Sequence, residues 1–120
     1  MQFKRSTQVA EALKREASDI IAHTLKDPRL GFITVTGVDL ADDLRHAKIF
    51  LSIMGDAESQ KRSLEGLESA RGFVRRELGH RLRLKFTPEI DFRIDESVAQ
   101  GDRIDRLLHQ IAEEKSHGAD

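Results

Sequence analysis

The spacing of hydrophobic residues changes period along this chain, and each change marks an element. From Val9 onward the apolar positions are Val9, Ala12, Leu13, Ala17, Ile20, Ile21 and Leu25, the three-and-four spacing of one helical face, with Ser6 or Thr7 placed to cap its start. Lys26-Asp27-Pro28 ends this helix, because proline disfavours helical backbone in the residue before it, and Gly31 adds a second turn signal. The period then drops to two. Phe32 to Val38 is rich in β-branched residues, and Ala47 to Met54 puts Ala47, Ile49, Leu51 and Ile53 on one face, so two strands joined by the polar link 39–45 are predicted as an antiparallel hairpin.

Helical spacing returns after Gly55-Asp56 in two patterns in series. Leu64, Leu67 and Ala70 form the first, and Val74, Leu78 and Leu82 form the second. Between them Ala70-Arg71-Gly72 predicts a break, so that 57–85 reads as a bent pair of helices. Thr87-Pro88 closes the pair, and Ile90, Phe92 and Ile94 alternate with Asp91, Arg93 and Asp95 as a third strand. Ser97 or Asp102 can cap a last helix with Ile104, Leu107, Leu108 and Ile111 as its apolar face.

The predicted order α-β-β-α-α-β-α describes an α+β domain with helices packed on one three-stranded sheet. Its third strand follows a crossover long enough to allow parallel pairing, so a mixed sheet is open to it, while the strand order is not legible. One domain over 1–115 with a flexible tail at 116–120 is expected, and 120 residues are enough for an ordinary core without staples. Enough apolar residues are present for such a core, at 38%, while 34% charged residues imply a heavily charged surface. The absence of cysteine excludes disulfides and thiolate metal sites. With no apolar signal core at the start and no run of membrane-spanning length, the expected compartment is the cytoplasm.

Charge changes the picture most. Between Arg71 and Lys85 the basic residues are Arg71, Arg75, Arg76, Arg81, Arg83 and Lys85 against Glu77 alone, a segment charge of +5 in a chain whose total is −1. Positive charge concentrated on one helix in a nearly neutral protein is the footprint of a polyanion partner. Arg62 extends the same element towards its start, and Lys4, Arg5, Lys14 and Arg15 form a second, weaker basic group. Two readings of Gly72 stand at this point: close approach of an RNA backbone to main-chain N–H groups, or a bend that packing requires. On either reading Gly72→Val is expected to cost stability. Arg81 falls beside the Val74 and Leu78 arc, where its stem can lie along the core with the head in water.

Other chemistries find no support. Asp39, Asp42, Asp43, Asp56 and Glu58 sit in turns and at a helix start without EF-hand spacing. The five histidines show no ligand pairing, so no metal and no cofactor are expected. There is no phosphate loop and no nucleophile with a base, and an enzyme is not expected. Without Trp or Tyr, a surface built mainly on base stacking is disfavoured.

A strand, a helix pair bent at small residues and a returning strand resemble a KH domain, and the preceding helix and strand resemble its type II arrangement. Ser69-Ala70-Arg71-Gly72 stands where nucleic-acid-binding KH domains carry G-x-x-G. The Ala-x-Gly interhelical kink is similar to that of the bacterial ribosome-binding factor A family. So are Lys4-Arg5 through Val9-Ala10-Glu11, Lys26-Asp27-Pro28-Arg29-Leu30-Gly31-Phe32, Phe92-Arg93-Ile94-Asp95-Glu96-Ser97 and Gly101-Asp102-Arg103-Ile104. The resemblance covers essentially the whole chain. It implies a monomeric, non-catalytic assembly factor that binds 16S rRNA of the small ribosomal subunit during late maturation and pre-rRNA processing. The expected RNA-binding residues are Arg62, Ala70, Arg71, Gly72, Arg75, Arg76, His80, Arg83 and Lys85, with Lys4 and Arg5. A general KH-like RNA-binding or protein-interaction module is the alternative.

Overall fold

The computed structural model describes residues 5–96. Helix α1 spans Arg5–Asp19 and turns its Leu13 and Ala17 inward, as the spacing requires. It continues into a π turn, Ile20–Thr24, in which Leu25 N–H donates to the Ile20 carbonyl five residues back at 3.0 Å. Widening the helix here keeps Ile20 and Ile21 both buried before Leu25 becomes extended.

The turn after it is built from side chains. Asp27 accepts the Arg29 N–H at 2.9 Å and the Arg29 guanidinium at 3.1 and 2.7 Å, a local knot that fixes Pro28 in place.

Strands β1 (Ile33–Leu40) and β2 (His46–Ile53) pair antiparallel, and β3 (Glu89–Ile94) pairs parallel to β2, in the order β1-β2-β3. The mixed sheet follows the pattern, with the central place taken by the most apolar strand. A bulge between Val35 and Gly37 shifts the register, so that Val35, Val38 and Leu40 all share a face with Leu51, Ile49 and Ala47. On that face lie Ile90, Phe92 and Ile94 of β3 and the two helices. The opposite face carries Thr34, Lys48, Phe50, Ser52, Asp91 and Arg93.

Gly55, at φ +120°, turns the chain out of β2, and Asp56 caps the next helix by accepting the Ser59 N–H at 2.8 Å. Helix α2 runs without interruption over Ala57–Leu82. The break expected at Ala70-Arg71-Gly72 is not there. Alanine and arginine favour helix, and one glycine costs about 1 kcal/mol, which packing against the sheet offsets. Gly72 is exposed, and a Cβ placed on it meets nothing within 4 Å among the described residues. Neither a packed bend nor a close approach of chain explains it, and the expected loss of stability in Gly72→Val loses its ground.

The tight glycines lie elsewhere. A Cβ on Gly66 would come within 2.9 Å of Leu30 Cδ2, and one on Gly79 would collide with Thr87 Oγ1. Next to Gly66, the buried Ser63 hydroxyl donates to the Arg29 carbonyl at 3.3 Å and accepts the Gly31 N–H at 3.1 Å, docking the 27–31 turn on the helix. The helix ends at Arg83, whose φ of +50° is left-handed. There the Leu84 N–H reaches the Gly79 carbonyl and the Arg83 N–H the His80 carbonyl, a Schellman closure with arginine in the place glycine usually takes. The expected last helix over 104–111 and the tail lie outside the described residues.

Candidate nucleic-acid interface

Helix α2 sorts its basic residues by angle. Leu67, Val74 and Leu78 are fully buried, so the far side of the axis points away from this core. Arg62, Arg76, His80 and Arg83 occupy that outer side, all exposed. Among the described residues none of the four makes an ion pair. Arg76 stands in the helix, and Arg83 is the left-handed residue just past its end; both are exposed.

Two other arginines of the same helix do structural work. Arg75 donates to the Pro88 carbonyl at 3.2 Å and the Thr87 carbonyl at 2.9 Å, with Glu89 at 3.5 Å, tying α2 to the segment that enters β3. Its donors are largely engaged, which sets it apart from the expected binding row.

Arg81 turns to α1, where Asp19 accepts at 2.6 Å with Glu16 at 3.6 Å, and Glu77 lies 3.5 Å away one turn earlier on α2. The hydrogen bond from Arg81, followed by that from His23, holds the Asp19 carboxyl below the usual carboxylate range, and the same contact raises Arg81. The head of Arg81 is thus a tether between helices rather than a free snorkelling group.

The remaining sequence candidates divide. Arg71 lies on the flank of α2, 3.6 Å from Glu68, and Ala70 is half-buried against the core. Gly72 is on the outer side with open space above it among the described residues. Lys4 lies outside the described residues. Arg5 opens α1, whose Ser6 hydroxyl lies 3.5 Å from Asp42 in the β1–β2 link, so this end of α1 stands beside the hairpin. Lys85 follows the end of α2, its Nζ 5.8 Å from the Phe86 ring centroid.

The fold brings Arg5 and Lys85 to one cleft together with Arg45 of the β1–β2 link. Arg45 was invisible as a site residue in the sequence, where it reads only as part of a polar turn. Phe86, one of the few exposed large apolar side chains, was also missed. Its signal in the sequence is an aromatic residue placed between a lysine and Thr87-Pro88, where no strand or helix pattern needs one.

Comparison with known proteins shows the family and the fold. A family model described as ribosome-binding factor A matches residues 5–108. A ribosome-binding factor A from Natranaerobius thermophilus is 53% identical over 111 residues, which are 92% of this chain and 85% of that relative. The crystal structure of ribosome-binding factor A from Thermus thermophilus superposes with a TM-score of 0.65 at 26% identity, over 74% of this chain and 94% of that one. A homology model of the Thermus thermophilus factor, fitted into a cryo-electron-microscopy map of a 30S complex, gives a TM-score of 0.64 at 25% identity, over 78% and 97% of the two chains.

Proposed function

Because this chain belongs to the ribosome-binding factor A family, we propose that it is a non-catalytic assembly factor that binds the small ribosomal subunit through 16S rRNA, late in maturation and pre-rRNA processing. It works as a cytoplasmic monomer without a cofactor. The observation that carries this reading is the outer row of α2 and its cap, where Arg76 and Arg83 stand exposed and unpaired among the described residues. A helix tuned for solubility mixes charge signs and gains pairs one turn apart, whereas a cationic row left free can replace the counterions of phosphates. The relative fitted into a 30S map supports the small subunit as the particle bound.

The test separates binding from folding. Arg76→Glu with Arg83→Glu should leave the melting curve near that of the natural protein, since exposed substitutions stay within about 0.5 kcal/mol. Association with purified small subunits should weaken strongly, most of all at low salt, because each phosphate that is no longer neutralised flattens the logarithmic salt dependence by about 0.9. Lys26→Glu with Lys48→Glu, the same charge reversal at two exposed positions off this helix, is the control. If both double variants sediment with subunits equally well at low and high salt, the outer row of α2 is only a solvated surface.

A further inference from the structure

The cleft shared by Arg5, Arg45 and Lys85 has the form of a site. Three separate elements close on it: the start of α1, the β1–β2 link, and the segment from α2 to β3. Its volume is about 290 Å³, on a floor that includes Val9, Leu40, Leu44 and Leu84. The three cations stand around this apolar floor. Asp43, the one acid lining it among the described residues, already accepts the Arg45 N–H at 2.9 Å within the turn.

Phe86 stands at the mouth, 69% exposed. Together with Arg45 it also walls a second cavity, of about 320 Å³, on which Arg75 and His46 border. An aromatic ring left this far in water forgoes its own burial, and here it does so between two clefts beside a lysine.

We propose that this cleft takes one unstacked nucleotide of a single-stranded RNA segment, the base against Phe86 over the apolar floor and the flanking phosphates against Arg5, Arg45 and Lys85. The proposal rests on the RNA reading above and adds the class of strand. A nucleobase offers the flat face that an exposed ring can stack upon, and phosphates on either side of it match cations that come from different directions. A base inside a duplex cannot enter, because its faces and edges are already taken. The outer row of α2 ends at Arg83, two residues before Lys85, so a strand leaving the cleft meets that row next.

Fluorescence anisotropy of the full chain with an end-labelled short single strand, and with the blunt duplex of the same sequence, tests this. Phe86→Ala should weaken single-strand binding by about tenfold, the usual effect of removing one stacking side chain, and should leave duplex binding and the melting curve unchanged. Phe86→Tyr, which keeps the ring, should bind as the natural protein does. Arg45→Gln should weaken single-strand binding and flatten its salt slope by about 0.7.

If Phe86→Ala binds the single strand as tightly as the natural protein while the Arg76 and Arg83 double variant loses both ligands, the cleft is not a base site and the RNA reading stands. Equal losses on single strand and duplex in Phe86→Ala also overturn it. If the Arg76 and Arg83 double variant binds both ligands undiminished, the RNA reading falls, and the cleft proposal falls with it.

Discussion

The two sides of α2 use the same residue types for opposite ends. Gly66 and Gly79 let the 27–31 turn and Thr87 come closer than a Cβ permits, while Gly72, on the same line of the helix as Gly79 but two turns earlier, has nothing near it among the described residues. Arginine divides likewise. Arg75 and Arg81 spend their donors on the Thr87 and Pro88 carbonyls and on α1 carboxylates, whereas Arg76 and Arg83 meet no acid among the described residues. Residue identity therefore says little on this helix until what lies opposite it is known. One side holds the domain together, and the other is free to hold a partner.

Several substitutions break or sharpen this contrast. Leu78 is fully buried, and Leu78→Ala should cost about 3 kcal/mol in denaturant unfolding through lost transfer energy and the cavity left behind. Gly79→Ala should cost about 1–2 kcal/mol, as the clash with Thr87 outweighs the helix propensity gained. Gly72→Ala should do the reverse and stabilise by about 0.5–1 kcal/mol, with a matching rise in melting temperature. A destabilised Gly72→Ala would mean that something does pack on the outer side. Arg83→Gly relieves a left-handed residue and should raise stability by about 0.5 kcal/mol while weakening subunit binding, so that fold and function move in opposite directions.

The smallest effect lies in pH. Because its folded pKa is lowered, Asp19 contributes stability that is present in full above the ordinary carboxylate range and is lost as pH falls through the folded value. Asp19→Asn should therefore melt earlier than the natural protein at neutral pH, with the gap closing below about pH 4. Arg81→Ala should show the same closing gap, whereas Arg76→Ala should show none at any pH.

Periodicity alone located α1, the two hairpin strands and β3, because burying one face imposes a spacing that polar neighbours cannot hide. It also placed Arg76 away from the core, opposite Val74 and Leu78 on the helix, whereas Arg83 stands just past the helix end. Local chemistry misled at Ala70-Arg71-Gly72, where a glycine suited to a break is carried inside one helix whose other positions favour continuation. Which glycines were needed depended on what lies opposite them, Leu30 and Thr87, and those neighbours are set by chain paths that no local spacing records.

The same holds for the site. The sequence by itself determined the strands, the first helix and the concentration of positive charge after Arg71, because each is recorded within a short window, whereas the unbroken run of α2 and the parallel pairing of β3 with β2 depend on distant parts of the chain. Only the tertiary structure decided which of those charges are spent on carboxylates and carbonyls. It alone joined Arg5, Arg45 and Lys85 around Phe86, since a cleft walled by residues from distant parts of the chain exists only once loop closure has brought them together.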